Sequence, residues 1–502
     1  MRELVTVQVG SFANYIGSHF WNFQDELFGL GEDQNADSEV FRNTGLNMDV
    51  LYRAGEAHQG NPTYTPRLVS IGAQGSLGTL CSTGSLYDHV PLSDTSVEWQ
   101  GSSSPVDAIT NDDKRQVLGK DIVDCLENDV HFWTDFSKGH YHPRSLCELN
   151  SSWSDIHDFD NYEIAQQITS FQGEDMVDKL RFFTEECDHI QGFRFIVDDS
   201  GWVSSVAADF MEIIADNFGK IPILLYSAKD PVSYTNATNK KQIVSRSLHE
   251  AISFSRLSLS CKLIVPLGLP SLNTSKFSTF LNINDTKPFH SSAVYAASIY
   301  SLSLPFRMEQ AGSNLYSDSI YGAVDIHEII QILTEQSRQK HGSHYGCSNT
   351  NTTINGRASI SEMKDAFHEG YRNDIFHPQP KPMFSHLSAA ACPLPFLYLF
   401  HHCRHGELLS PINSSQDCLP KGPIEIVSIP MSARLRYSNA ILPLIEKRLE
   451  NLRRFGGQRG AVGAQLLMNW GFDKDEVEDM GEVLSKMVLS LDPYPEMSTD
   501  SD

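Results

Sequence analysis

The sequence has few cysteines for its length, and none are paired at a spacing that binds metal or forms a redox disulfide. Its nine cysteines are scattered over 502 residues, odd in number and free of any C-x-x-C pair. This usage is typical of a reducing compartment and argues against a disulfide framework. We therefore expect buried, free thiols.

Long hydrophobic runs are also missing. The longest apolar stretch, residues 388–400, contains Pro393 and Pro395 and is too short and too interrupted to cross a bilayer. The sequence enters a strand pattern directly after Arg2 and Glu3, so it resembles neither a signal peptide nor a mitochondrial presequence. We expect a cytoplasmic protein without a transmembrane helix, which contacts organelles from outside.

Positive charge is scarce. The 39 Lys and Arg residues face 63 Asp and Glu residues, which gives a formal net charge of −24. The field of such a chain repels nucleic acids and anionic lipids. No nucleic-acid partner is expected, and any contact with an anionic surface must be local.

What the sequence does contain is an alternation of strand-like and helix-like patterns through its first 230 residues. Periodicity predicts strands at 67–71, 193–197 and 221–226, and helices at 176–187 and 204–218. The second helix closes at Gly219, a residue type favoured just after a helix. This β-α-β succession predicts an α/β fold with a mostly parallel, doubly wound sheet.

The chain is long enough for two or three domains. We predict a nucleotide-binding-type domain over residues 1–230, an intermediate α+β domain over 240–365 and a C-terminal α/β and helical region over 366–502. Polar inserts at about 93–115 and about 336–359 interrupt the pattern, and their composition predicts surface loops or disordered segments.

The opening segment, MRELVTVQVGSFANYIGSHFWNFQDE, carries the most information. An apolar strand pattern ends at Gly10 and Ser11, and apolar residues then recur at helical spacing. Such a unit points the N–H groups and dipole of a helix N-terminus at the ligand crevice of a doubly wound sheet, where they favour an anion. The segment resembles the start of tubulin almost position for position. The resemblance places Gly10 and Asn14, with Ser11 beside them, at the nucleotide.

The phosphate loop of tubulins and their bacterial relatives reads G-G-G-T-G-S-G, but this chain has a different sequence there. Only Gly201 keeps its glycine, while Trp202 and Val203 bring large or β-branched side chains. Forcing such residues into glycine-type conformations costs about 1 to 3 kcal/mol each, so tight triphosphate binding is not expected. The helix N-terminus, Ser204 and Ser205 can still donate to an anion, so nucleotide binding at a degenerate site stays an alternative.

The magnesium side of the nucleotide site is also altered. Tubulins follow their Y-x-P-R strand with D-L-E-P-G, whereas residues 72–76 here read GAQGS after Tyr64-Thr65-Pro66-Arg67. Magnesium prefers carboxylate oxygens, so we expect no metal site. The glycines at 72, 75 and 78 can form an anion nest, but a flexible turn is the favoured interpretation.

A third tubulin element, A-G-N-N-W-A-K-G-H-Y, survives only at its end. Lys138-Gly139-His140-Tyr141 matches, but the phosphate-facing part reads Phe-Trp-Thr-Asp and places the charge of Asp135 there. The acidic N-x-D-x-x-E loop that completes hydrolysis in polymerising tubulins is missing between Lys240 and Gln310. Together these changes predict a protein without GTPase activity and without a bound cofactor.

Basic residues concentrate between 434 and 459, where apolar residues give one helical face. Lys447, Arg448, Arg453 and Arg454 are the candidate contacts with an acidic partner or an anionic membrane. A solvated helix packed on the second domain is the competing interpretation.

These features resemble the misato family, tubulin-like proteins with a preserved N-terminal unit and a diverged nucleotide loop. The resemblance is specific from Met1 to about Asp230. It implies a role in mitochondrial distribution, morphology and inheritance, through tubulin, tubulin-folding or cytoskeletal partners and peripheral contact with the outer mitochondrial membrane. We therefore expect a non-enzymatic, tubulin-shaped adaptor. The alternative is a divergent, possibly polymerising GTPase.

Overall fold

The computed structural model of the protein describes residues 2–32, 46–56, 62–78, 130–149, 162–199, 201–219, 221–231, 240–267, 286–307, 325–330, 348–356, 386–390, 394–395, 428–429, 431–437, 441–457 and 463–491. The strands in these ranges are β1 (Glu3–Val9), β2 (Tyr52–Glu56), β3 (Pro62–Pro66), β4 (Leu68–Ala73), β5 (Leu146–Leu149), β6 (Ile190–Asp198), β7 (Ile223–Ala228), β8 (Leu263–Leu267), β9 (Ser348–Gly356), β10 (His386–Ala390), β11 (Leu394–Pro395), β12 (Ser428–Ile429) and β13 (Met431–Tyr437).

The helices in the same ranges are α1 (Ser11–Glu32), α2 (Tyr162–Glu185), α3 (Trp202–Phe218), α4 (Lys240–Ser260), α5 (Pro288–Arg307), α6 (Leu442–Leu452), α7 (Ala464–Asn469) and α8 (Lys474–Leu491). Short 3₁₀ turns lie at Met48–Val50 and Pro143–Ser145, and a π turn at Arg453–Gly457 follows α6 directly.

A nine-stranded sheet in the order β10-β13-β9-β8-β7-β6-β1-β4-β5 forms the centre of the described structure. The six strands from β5 to β8 in this order are all parallel, while β13 and β10 run antiparallel to their neighbours. The predicted α/β fold with a mostly parallel, doubly wound sheet is therefore confirmed.

Alternating side chains of the central strands build a core on each face of this sheet. In β1, Leu4 faces the core that α1 and α5 cover, while Val5 and Val7 face the core that α2, α3, α4, α6 and α8 cover. Every residue of β1 is buried. A strand covered on both faces needs few polar residues, which explains the apolar run seen in the sequence.

Two predictions about the chain are wrong in detail. The polar insert at 336–359 contains β9, which pairs with β8 and β13, because sheet pairing can override a polar composition. The helical pattern assigned to 434–459 begins only at Leu442, since residues 431–437 form a strand. The prediction that the helix after β6 closes at Gly219 is confirmed; its φ of −44° is right-handed, but a Cβ atom there would lie 2.8 Å from the carbonyl oxygen of Ala215.

Other predictions fall partly or wholly outside the described residues. The insert at 93–115 lies outside them. Among the described cysteines, Cys147 and Cys261 are buried and Cys187 is partly buried, and none of the three forms a disulfide. The domain boundaries stay a prediction.

Candidate functional site

The candidate site lies where the strand order changes direction, at the carboxyl ends of β1 and β6. In the sheet, β4 and β5 lie on one side of β1, while β6, β7 and β8 lie on the other side. Such a switch point opens a crevice for ligands in doubly wound sheets. Gly10 leads from β1 into α1, and Gly201 precedes α3 after β6.

The carboxyl group of Asp198 occupies the N-terminus of α1. Its Oδ1 accepts a hydrogen bond from the backbone N–H of Ala13 at 2.7 Å, and its Oδ2 accepts one from Phe12 at 3.2 Å. These N–H groups are the donors that a helix N-terminus offers to a phosphate. A side chain of the protein itself therefore takes the position of the expected anion.

Gly10 is needed because Asp198 approaches it closely. Its φ of +119° is one that residues with a side chain rarely adopt, and a Cβ atom there would lie 2.2 Å from Oδ2 of Asp198. The glycine that resembles a nucleotide contact of tubulin thus makes room for an internal carboxyl group.

The ionisation of Asp198 should make stability depend on pH. Burial, together with the charges of Asp230 and Asp199, raises the pKa of its carboxyl group to about 8, against the opposing effect of the hydrogen bonds from Ala13 and Phe12. The folded chain keeps a proton that the unfolded chain releases, so the free energy of unfolding should fall as the pH rises towards 8. Between about pH 6.5 and about pH 8 we expect a loss of about 1 kcal/mol that Asp198→Asn removes.

Urea unfolding of the wild type and Asp198→Asn at both pH values measures this difference. The neighbouring Asp199 should not contribute to this difference, because burial raises its pKa only to about 6, which lies below the tested pH range. An equal pH dependence in the two proteins would contradict the assignment to Asp198.

Asn14 is held by the sheet. Its Nδ2 donates to the carbonyl oxygen of Ile71 at 3.3 Å, and its Oδ1 accepts from Oγ of Ser70 at 2.8 Å. The side chain is 1% exposed. Ser11, the first residue of α1, is exposed instead. Of the three residues predicted at this end of the crevice, Ser11 alone presents its side chain to solvent.

The two serines at the start of α3 also have internal partners. Ser204 Oγ donates to the carbonyl oxygen of Gly201 and lies 2.6 Å from Oγ of Ser253 in α4. Ser205 Oγ accepts from Nη1 of Arg256 at 2.8 Å. Both serines are buried, so their hydroxyl groups tie α3 to α4 and are not directed at a ligand in the crevice.

The turn after β4 does not form an anion nest. The backbone N–H groups of Ser76 and Gly78 donate to carbonyl oxygens within the turn, and that of Gly75 donates to Oε1 of Glu148 at 2.9 Å. Residues 72–76 contain no carboxylate, and the described part of the chain holds no cluster of three possible metal ligands. The favoured interpretation of these glycines as a turn fits this geometry.

In the loop before Lys138, the carboxylate of Asp135 binds backbone N–H groups of the same loop. Oδ2 of Asp135 accepts hydrogen bonds from the N–H groups of His131 and Phe132, at 2.8 and 2.7 Å. The part of this segment that matches tubulin begins at Lys138. It has a structural role, because the N–H of Lys138 donates to Oδ1 of Asn22 in α1. The residues present therefore do not fit a magnesium-bound guanosine triphosphate held as in tubulin.

Comparison with known proteins matches this chain to tubulin-like families. The family profile described as "Misato Segment II tubulin-like domain" matches residues 2–124, and the profile described as "Tubulin domain" matches residues 124–308. The chain belongs to the misato family of tubulin-like proteins.

Individual relatives agree with the family. Protein misato homolog 1 of Mus musculus is 30% identical over 344 residues, which cover 62% of this chain and 59% of the relative. Protein DML1 of Gibberella zeae is 30% identical over 326 residues, which cover 62% of each chain. Protein misato homolog 1 of Homo sapiens is 29% identical over 351 residues, covering 61% and 60%. The matched region thus spans about three fifths of these relatives' length.

Beside the crevice, this misato-family chain has a buried ion pair that the sequence analysis did not predict. Nη2 of Arg448, in α6, donates to Oδ2 of Asp199 at 3.0 Å, and the two side chains are 3% and 4% exposed. The guanidinium group also lies 4.4 Å from the ring centre of Phe254. Two adjacent acids at the end of an apolar strand are the sequence signal for such partners.

The predicted basic surface is therefore partly wrong. Arg448 is 2% exposed, because α6 turns this residue towards the sheet, and it cannot contact an outside partner. Lys447, Arg453 and Arg454 are exposed, and Nη2 of Arg453 donates to Oγ of Ser485. In the described part of the chain, no helix combines the length and the apolar character needed to span a membrane.

Proposed function

We propose that this misato-family chain is a non-enzymatic, tubulin-shaped protein that works without a bound guanine nucleotide or another cofactor. The observation that carries the proposal is the carboxyl group of Asp198 on the N–H groups of Phe12 and Ala13. A phosphate at this position would have to displace an acid that already accepts hydrogen bonds from these N–H groups.

The polar groups around the crevice support the same conclusion. Asn14, Ser204 and Ser205 bind other parts of the protein, so a nucleotide would have to break internal hydrogen bonds to reach them. A buried donor or acceptor left without its partner costs about 1 to 3 kcal/mol. Binding would therefore begin with an energetic loss at several positions.

We further propose that the chain acts in mitochondrial distribution, morphology and inheritance, in the cytoplasm and at the outer mitochondrial surface. Support comes from its membership of the misato family. The mitochondrial role is what the resemblance to that family implies. Tubulin, tubulin-folding or cytoskeletal proteins are the proposed partners. Lys447, Arg453 and Arg454 are the exposed basic residues available for a peripheral contact.

The absence of a nucleotide can be measured on the purified full chain. We expect no guanine nucleotide in the acid extract and no release of phosphate from added GTP above the buffer rate. A polymerising tubulin purified by the same steps is the positive control. Stoichiometric GTP or GDP, or measurable turnover, would support the divergent GTPase instead.

A variant tested in cells also distinguishes the nucleotide-free protein from the divergent GTPase. Ser11→Glu adds a negative charge at the exposed start of α1, where an acid suits the helix dipole but repels a phosphate. In cells depleted of the chain, we expect Ser11→Glu to restore mitochondrial distribution as well as the wild type. If the wild type restores mitochondrial distribution and Ser11→Glu does not, the result would favour the divergent GTPase. If neither restores it, the mitochondrial role is wrong.

A further inference from the structure

Two arginines lie wholly inside the core between the sheet and helices α1 and α5. Arg194 is in the middle of β6, and Arg307 is the last residue of α5; both are 0% exposed. Arg194 precedes Asp198 by four residues, so it lies about 13 Å below the crevice along the strand. The two arginines therefore belong to a different part of the molecule from the candidate nucleotide site.

Neutral groups bind part of each guanidinium. Nη2 of Arg194 donates to Oγ1 of Thr6 at 2.8 Å, and its Cζ lies 4.1 Å from the ring centre of Phe20. Nη1 of Arg307 donates to Oε1 of Gln24, and its Cζ lies 5.0 Å from the ring centre of Tyr300. Nη1 of Arg307 also lies 3.9 Å from the sulfur of Met48, and the hydroxyl group of Tyr300 is a further hydrogen-bond partner of this guanidinium. All of these partners are neutral.

The remaining N–H groups have no acceptor in the described part of the chain. These are Nε and Nη1 of Arg194 and Nε and Nη2 of Arg307. The buried hydroxyl of Tyr226 and Nε1 of Trp21 are also without a hydrogen-bond partner. Within the described residues, no carboxylate forms an ion pair with either arginine.

Both guanidinium groups should nevertheless carry their charge. Burial, together with the charge of Arg307, lowers the pKa of Arg194 to about 9. That value still lies above neutral pH. Burial also lowers the pKa of Arg307. Taking an ion out of water costs several kcal/mol unless an opposite charge compensates it, so two neighbouring buried cations call for an anion.

We propose that Arg194 and Arg307 form a buried binding site for a small inorganic anion, chloride under cellular conditions. The unpartnered groups are all able to donate, which suits a halide that accepts several hydrogen bonds and donates none. A water molecule among these groups would have only the hydroxyl oxygen of Tyr226 as an acceptor for its two O–H groups. Complete burial of both side chains favours a single-atom ion over a phosphate or carboxylate ligand.

Chloride should stabilise the full chain, because a ligand that binds the folded state alone shifts the unfolding equilibrium. We expect the thermal midpoint to rise by about 2 °C between about 10 and about 200 mM sodium chloride, relative to sodium gluconate of equal ionic strength. Arg194→Met and Arg307→Met should lose this chloride-specific rise.

Arg448→Met is the matched control, since it also removes a buried arginine but one that is paired with Asp199. It should lower the midpoint and keep the response to chloride. Equal midpoints in chloride and gluconate for the wild type, or a response lost equally in Arg448→Met, would overturn the proposal.

Bromide provides a direct measurement even if the arginine variants fail to fold. Crystals of the wild type grown in sodium bromide should show an anomalous peak within hydrogen-bond distance of both guanidinium groups. The absence of a peak at that position would also overturn the proposal.

Discussion

Asp199→Asn is expected to lower the free energy of unfolding by about 3 to 5 kcal/mol, because it leaves the guanidinium group of Arg448 buried without its counter-charge. Asparagine keeps the size of the side chain, so the loss reports the charge and not a cavity. The burial-raised pKa of Asp199, about 6, means that the pair is ionised at pH 7.5. The urea midpoint at that pH measures the change.

Two further variants test whether burial causes this effect. Glu478→Gln breaks an ion pair with Lys474 whose side chains are 61% and 74% exposed, and should leave the urea midpoint almost unchanged. Replacing both buried partners in Asp199→Leu with Arg448→Met should recover much of the stability, since neither charge is left alone. If Asp199→Asn and Glu478→Gln have similar midpoints, the buried pair does not hold α6 to the sheet.

Gly10→Ala should also strongly destabilise the protein. The new Cβ would meet Oδ2 of Asp198 at 2.2 Å, in a backbone conformation with φ of +119°. Strain at such a φ costs about 1 to 3 kcal/mol and overpacking costs about as much again, so we expect a total of about 2 to 6 kcal/mol. Thermal unfolding followed by circular dichroism measures the loss.

Gly75→Ala is the control for backbone strain alone. Gly75 has a φ of +80°, but a Cβ atom there would have no neighbour within 4 Å. Its loss should therefore be limited to the strain of about 1 to 3 kcal/mol. If Gly10→Ala lowers the stability no more than Gly75→Ala does, Asp198 does not fill the space beside Gly10.

Asp198 and Asp199 together connect three parts of the fold at the end of β6. Consecutive strand residues point to opposite faces of a sheet. Asp198 accordingly holds the start of α1 on one face, while Asp199 holds α6 on the other. This arrangement supports our proposal that the tubulin-like shape is stable without a nucleotide, because internal side chains make contacts that a ligand would otherwise supply.

Local patterns were enough to predict the architecture. The apolar run of β1, the helical spacing in α1 and the β-α-β succession led to the mostly parallel sheet that the structure has. These patterns work because the periods of strands and helices are properties of neighbouring residues. The polar strand β9 escaped prediction because its pairing with β8 and β13, and not its composition, places it in the sheet.

The sequence by itself determined the family and the mostly parallel sheet, since both are written in adjacent residues. Only the tertiary structure decided which group binds the N–H groups at the start of α1 and where Arg448 lies. Asp198 meets Phe12 across 186 positions, and Arg448 meets Asp199 across 249. Partners so distant in sequence are brought together by the packing of helices on the sheet, which no local pattern records.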